Sequence, residues 1–249
     1  MLITRSTPET WQELEEAVEL ILRRSGLQAE RGRVVTTVRG QVAVDVLASQ
    51  PVGRRAFTIA CECKHWKTRV NQNVVHGFRT VMNDMGADRG YIISTVGFQS
   101  GAHEAAHSSN IRLRSWEEFQ EDFEEDYFQE YVRSKLNECL DCLFSYCEPI
   151  SPMKFLATGK LAEHKVDEFL QLKAQYADIT LTCLPFFEGM PDRTGRQRLE
   201  LPLRKYVTPG SDLRYPEELL DIDAWDQFLD ILCEVGETGC RKFRELVAR

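Results

Sequence analysis

The chain has no run of about 18 uncharged apolar residues, so nothing in it reads as a membrane-crossing helix. Its first residues also lack the basic and apolar regions of a signal peptide, because Glu9, Glu13, Glu15 and Glu16 follow soon after Met1. A cytoplasmic protein without membrane contact is expected. Internal repeats and low-complexity segments are missing too, which excludes a repeat array. Eight cysteines in 249 residues are too few for a disulfide scaffold, and several sit in strongly apolar runs, so most are expected as reduced core thiols. Cys139, Cys142 and Cys147 keep a C-x2-C-x4-C spacing, but the run between them looks helical and no second ligand pair follows at zinc-finger distance. His103 and His107 stand four apart without an HExxH pattern or a third ligand, so no metal is expected there.

What is present is a 43% hydrophobic composition, enough for a proper core in one large domain or two ordinary ones. The net charge of −8 argues at first against nucleic acid. The average hides an asymmetry. Residues 1–119 hold 15 basic and 13 acidic side chains, a net +2, whereas residues 120–249 hold 16 and 26, a net −10. Within residues 31–89 there are 10 basic against 4 acidic, so positive charge gathers around one stretch of the first half.

Thr7-Pro8-Glu9 reads as helix cap, first helical residue and dipole-matched acid, with Trp11, Leu14, Val18, Ile21 and Leu22 at helical spacing up to Gly26. Strands are expected around Val34–Val38, at Val42–Ala48 with a break at Gln50–Gly53, and from Phe57 to Lys64. A helix over 71–85, a buried strand at Gly90–Thr95, a second helix at Gly101–Ser108 and a last strand at Ile111–Leu113 complete the order α-β-β-β-α-β-α-β. From Trp116 the composition turns acidic, with Phe119, Phe123 and Phe128 at roughly helical spacing, and a domain boundary is placed at 119/120. Beyond it a mostly helical α+β domain is expected: helices over 127–175 with a break at Pro149–Pro152, strands at Ile179–Leu184 and Leu199–Val207, then helix over Pro216–Arg249. The acidic run from Glu117 to Asp126 is read as solvated helix surface rather than a mimic of DNA.

The chemistry-bearing residues lie on two strands. On the strand ending at Lys64, alternation puts Glu62 and Lys64 on one side and Cys61 and Cys63 on the other. Asp45 sits in the otherwise apolar segment Val42–Ala48, where an uncompensated buried charge costs several kcal/mol. A hairpin centred on Gly53-Arg54 brings Asp45 opposite Glu62. Two facing carboxylates repel, and a divalent cation is their natural compensation. Phosphodiester hydrolysis needs a hard cation on oxygen ligands and a positioned water. Asp45 and Glu62 would hold Mg²⁺. Lys64 would orient or help deprotonate the water, or offset charge developing on the phosphate, roles that spacing does not separate. Glu15 lies on the apolar face of the first helix, either as a further ligand to the metal or its water or as a helix-edge carboxylate reaching solvent.

Asp45 followed by Glu62-x-Lys64 across a hairpin resembles the motif of the PD-(D/E)xK nucleases, with Val44 in the loosely kept proline position. The subtype is similar to the Mrr-type restriction endonucleases on three further elements: Leu14-Glu15 eleven positions before Gly26, Gly40 ahead of Asp45, and the segment Gly86–Ala102 after the lysine. The resemblance covers residues 8–119 and is silent on the rest. It implies a restriction-endonuclease-like α/β core, a central mixed sheet flanked by helices. It also implies Mg²⁺ dependence with Mn²⁺ able to substitute, and a metal held by Asp45, Glu62, Glu15 and the backbone carbonyl of Cys63. The implied activity is type II/IV restriction-like cleavage of DNA, often modified or foreign, in restriction or antiphage defence.

Arg54, Arg55, Lys67, Arg69 and Arg79 are the candidate phosphate contacts, against the reading that they are a solvated face. His65-Trp66-Lys67 reads either as a DNA contact at the rim of the site or as strand-end packing. Residues 120–249 are assigned to recognition, oligomerisation or regulation, with a dimer expected for double-strand cutting and a protein partner expected for the acidic half. The competing reading is a non-cleaving module of a multi-component defence system that keeps the nuclease fold and binds nucleic acid or protein.

Overall fold

The computed structural model describes residues 2–53, 55–187, 198–207 and 213–247, which divide into two units meeting at Glu130 and Tyr131.

The first unit opens with helix α1 (Trp11–Arg24), whose N-cap is Thr10, its Oγ1 accepting from the Glu13 N–H at 3.2 Å. The cap expected at Thr7 thus falls three residues later. A cap must accept from its own N2 or N3 amide, and Thr10 has Glu13 there, whose carboxylate also accepts from the Glu9 N–H at 2.8 Å. Leu14, Val18, Ile21 and Leu22 are buried as their spacing requires, while Trp11, at the helix start, remains 55% exposed.

Strands β1 (Gln28–Thr37), β2 (Gly40–Val52) and β3 (Arg55–Lys64) form an antiparallel meander. The β2–β3 register, Val46 opposite Cys61 through Val52 opposite Arg55, is that of a tight hairpin turning past Gly53. The break expected at Gln50–Gly53 shrinks to the turn itself, because β2 stays paired through Pro51 and Val52. β1 begins at Gln28, opposite Ser49, so Pro51 lies where β2 is an edge and its missing N–H loses no ladder bond on that side.

Two helix–strand extensions follow, their strands pairing in parallel: helix α2 (Gln72–Met85), strand β4 (Arg89–Ser94), helix α3 (Ser100–Ala106) and strand β5 (Ile111–Ser115). They complete a five-stranded mixed sheet in the order β1-β2-β3-β4-β5. One face of the sheet meets α2 and α3 through Val44, Ala60, Val75, Phe78, Met82 and Ile92. Gly90 is required by close approach: a Cβ there would lie 2.1 Å from Met82 Sδ and 2.7 Å from Phe78 Cε1.

Helix α4 (Trp116–Tyr127) starts in a full capping box of Ser115 and Glu118. It packs Phe119 and Phe123 against Tyr91 of β4, with ring centroids 5.6 and 5.5 Å away. Gln120 is buried and accepts from the Thr4 N–H at 2.8 Å. The boundary expected at 119/120 therefore cuts through a helix of the first unit, which extends to Glu130. Glu117, Glu118, Glu121, Glu125 and Asp126 lie on the exposed side of α4, but the acidic run is not all solvated surface: Glu124 is buried and Asp122 pairs with Arg112 and Arg114 of β5, while the phenylalanines belong to the sheet.

Among its described residues the second unit is helical: α5 (Arg133–Cys147), α6 (Ser151–Ala157), α7 (Val166–Cys183), α8 (Glu217–Leu220) and α9 (Trp225–Leu246). The two strands expected here are not present. Ile179–Cys183 is the last turn of α7, where the β-branched Thr180 turns its hydroxyl back to the Tyr176 carbonyl at 2.8 Å. Residues 199–207 run without a ladder partner into a short 3₁₀ turn, Leu203–Tyr206. Disulfides join α5 to α9, Cys139 to Cys233 and Cys142 to Cys240. The expectation of reduced thiols fails for these four, because distant helices pack their cysteines face to face. It holds for Cys61, Cys63, Cys147 and Cys183, which are free and buried. No described helix is long and apolar enough to cross a membrane.

Candidate active site

The three residues singled out on the strands converge. Lys64 Nζ lies 2.5 Å from Glu62 Oε1 and 3.8 Å from Asp45 Oδ2, and all three side chains are largely buried, between 15 and 25% exposed. Glu62 and Lys64 come together by alternation along β3.

Asp45 arrives by a local break in the sheet. The β1–β2 pairing runs on both sides of it but omits Gly32 and Asp45, and Gly32 has a φ of +60°. Val44 and Leu47, an odd number of positions apart, both contribute to the core under α2, so alternation fails between them. On its other side β2 stops pairing with β3 at Val46–Cys61. Where the next backbone bond would form, the Asp45 carboxylate accepts from the Cys63 N–H at 2.8 Å. Asp45 is therefore fixed by the backbone of the strand that carries the other two residues.

Glu15, on α1, is half-buried. Burial raises its pKa first, the Asp45 charge adds to this, and Arg31 and Lys64 pull against it. The same causes act on Glu62: burial raises it, Asp45 raises it further, and the Lys64 ammonium opposes both. Four residues thus share one electrostatic environment, with three carboxylates against one lysine and the nearby Arg31. Arg31 was not picked out from the sequence. Its guanidinium bonds Glu16 at 2.7 Å and Glu19 at 2.8 Å, tying β1 to α1 one residue before the break at Gly32. The signal for it was positional, since it precedes the glycine that opens the ladder opposite Asp45.

No group of three or more His, Cys, Asp or Glu side chains among the described residues makes a ready metal cage. The donor set nevertheless fits Mg²⁺, which is usually held by one or two carboxylates and completed by water and substrate phosphate. Asp45 and Glu62 both come within reach of a single cationic centre, as Lys64 Nζ demonstrates.

The surrounding candidates separate. Lys67 and Arg69 are exposed on the segment that leaves β3 beside the site. Arg79 is not: its guanidinium donates to the Ala105 carbonyl of α3, and its Nε is buried without a partner among the described residues. Arg54 and the side chain of Arg55 lie outside the described residues. His103 packs edge-on against Phe98, and His107 bonds the Ser108 hydroxyl, so the two do not act as a pair. Trp66 is 41% exposed, with Lys64 Nζ 5.5 Å from its ring centroid. Trp66, Glu62 and Lys64 line a cavity of about 370 Å³ whose wall also includes Val42 and Val44 of β2 and Val74, Gly77 and Phe78 of α2. That cavity had no signature in the sequence, because its walls come from three elements.

Residues 8–122 match the model of the Mrr_cat family, described as restriction endonuclease. No curated protein matches the chain. One solved structure, AF1548, described as a protein of unknown function, is 15% identical and covers 68% of this chain and 98% of its own, with a TM-score of 0.39. A second, the DNA modification-dependent restriction endonuclease AspBHI, is 14% identical and covers 48% of this chain and 38% of its own, with a TM-score of 0.29. At those scores neither structure bears on function.

Proposed function

We propose that the protein is a Mg²⁺-dependent endonuclease that hydrolyses DNA phosphodiester bonds in restriction or antiphage defence, a reading supported by the match of residues 8–122 to the Mrr_cat restriction endonuclease model. The observation that carries this reading is the meeting of Asp45, Glu62 and Lys64 at the end of one strand, with the lysine between two carboxylates.

Asp45 and Glu62, with Glu15 and the Cys63 carbonyl behind them, are the residues to hold the metal, and Mn²⁺ is expected to serve in its place. Bound there, a divalent cation polarises the phosphate and lowers the pKa of a water molecule. The chain does the rest. The Cys63 N–H holds Asp45 in one orientation, so the ligand set is preorganised. Lys64, beside Glu62 and Asp45, would donate to the water or to the phosphate oxygens as their charge grows. Glu15 keeps a further carboxylate near the water, and its upward-shifted pKa suits it to accept a proton. Lys67 and Arg69 contact the flanking phosphates.

The second unit has a different part. Residues 131–249 hold 16 basic and 20 acidic side chains, a net −4 that equals the net −4 of residues 1–130, so this unit is assigned to a second copy of the chain or to a protein partner because it lies outside the nuclease match and not by its charge, and a dimer would bring two sites to a duplex.

The test is cleavage of plasmid and phage DNA, methylated and unmethylated, in Mg²⁺ or EDTA. Cutting in Mg²⁺ that vanishes in Glu62→Ala and Lys64→Ala supports the assignment. Cutting that persists in Lys64→Ala removes the lysine from it. A wild type that binds DNA but never cuts moves the protein to the class of non-cleaving modules.

A further inference from the structure

The cavity beside the carboxylates has a composition that metal binding and phosphate chemistry do not use. Glu62 and Lys64 are among the residues that line it. Its walls are aliphatic and aromatic: Val42 and Val44 from β2, Val74 and Phe78 from α2. Trp66 stands on its open side, held by the Lys64 ammonium 5.5 Å from the ring and still 41% exposed. At about 370 Å³ it lies at the small end of the range of ligand pockets, about 300–1,000 Å³.

Gly77 of α2 borders the same cavity. It sits inside the 14-residue helix α2, where glycine is less favourable than alanine. Neither a left-handed backbone nor a close neighbour explains it, since a Cβ added there would meet nothing within 4 Å. Gly77 is exposed and lines the cavity, so a larger side chain there would stand at the cavity's mouth.

We propose that this cavity receives an unpaired nucleobase attached to the nucleotide whose phosphate is cut, stacked on Trp66. The proposal rests on the reading of the domain as a DNA nuclease. The chemistry selects the occupant. A phosphodiester held at Glu62 and Lys64 brings its own nucleoside within one sugar's length, so an adjoining apolar pocket meets a base before anything else. Flat π-faces stack on indole, and alanine substitution at such platforms typically weakens binding by roughly 5- to 150-fold per base. In a paired duplex the base is inside the stack and cannot reach the pocket. Bulged, mismatched, damaged or single-stranded bases are already partly free of that stack. The preferred substrate class is therefore DNA with a base out of its pair.

The experiment uses the full-length protein and two duplexes that differ only in whether one 2-aminopurine is paired or bulged. Binding is read in EDTA from the fluorescence of that base, and cutting is read separately in Mg²⁺. The wild type should quench the bulged probe and bind it more tightly than the paired one. Trp66→Ala should weaken that binding by about tenfold or more, with Trp66→Phe recovering part of it. Gly77→Leu should abolish the quenching while melting at no lower temperature than the wild type, because its side chain enters open space. Equal affinity for the two probes, or undiminished quenching in Gly77→Leu, overturns the pocket. Retained, Trp66-dependent quenching with no cutting of any DNA overturns the catalytic reading and leaves the pocket standing.

Discussion

Asp45 offers the sharpest separation of structure from chemistry, because its carboxylate has two tasks that two substitutions divide. It caps the end of the β2–β3 ladder by accepting from the Cys63 N–H at 2.8 Å, and Cys63 is 6% exposed. It also raises the pKa values of Glu15 and Glu62 by its charge. Asp45→Ala removes the acceptor and strands a buried amide. A hydrogen bond to a charged group contributes about 1.5–3 kcal/mol, so a loss of about 2 kcal/mol is expected. Asp45→Asn keeps an oxygen at the same place and removes the charge that its two carboxylate neighbours oppose. The weaker neutral bond and the relieved repulsion act in opposite directions, so its stability should stay within about 1 kcal/mol of the wild type. Both variants lose the carboxylate proposed to hold the metal and should cut DNA at least about 100-fold more slowly, the size of a lost transition-state charge contact. Urea unfolding of the full chain, followed by tryptophan fluorescence, measures the first effect, and plasmid nicking in Mg²⁺ measures the second. If Asp45→Asn is as unstable as Asp45→Ala, the Cys63 contact is not what holds the strand end. If Asp45→Asn cuts like the wild type, the carboxylate is not a metal ligand.

Three further outcomes are expected. Lys64→Met should keep the fold and still bind Mn²⁺, as seen by electron paramagnetic resonance, while cutting falls by about two orders of magnitude or more; unchanged cutting would remove Lys64 from the mechanism. Gly90→Ala should destabilise the first unit by about 1–3 kcal/mol through overpacking against Met82 and Phe78, and a neutral result in urea would show that α2 can move away. Burial pushes the Cys147 thiol up to about 11 and Cys183 up to about 12 from an ordinary 9, so both ionise more readily unfolded than folded. Their contribution is intact below pH 9 and is lost as pH rises towards the folded values, by about 1.4 kcal/mol per thiol per pH unit. Cys183→Ala should flatten the fall in stability between pH 9 and 11, and an unchanged slope would contradict the burial argument.

The first unit was largely legible because its signals are local and periodic. Leu14, Val18, Ile21 and Leu22 announce a helix, and Gly53 fixes the turn whose register brings Asp45 towards Glu62. Alternation alone gave the right neighbours by an incomplete route. The ladder breaks at Gly32 and Asp45, and a side chain takes over from the backbone. What stayed hidden depends on tertiary context. Thr180 and its neighbours have strand-like side chains, yet they close an 18-residue helix. The disulfide partners are 94 and 98 residues apart, a pairing that only helix docking decides. The cavity needs Val42, Gly77 and Trp66 together, and no spacing links a strand, a helix and a loop.

The bond from Cys63 to Asp45 also bears on how such a site would decay. A lineage that stopped cutting would still be selected to keep an acceptor at position 45, because the sheet needs one there. Asparagine would satisfy that selection and relieve a repulsion as well, so a retired site should drift from Asp45 to Asn long before it drifts to Ala. Glu62 and Lys64 make no such backbone clasp in the contacts described, and their loss would leave the ladder intact. The identity of the residue at position 45, acid or amide, is therefore a record of whether charge is still being used.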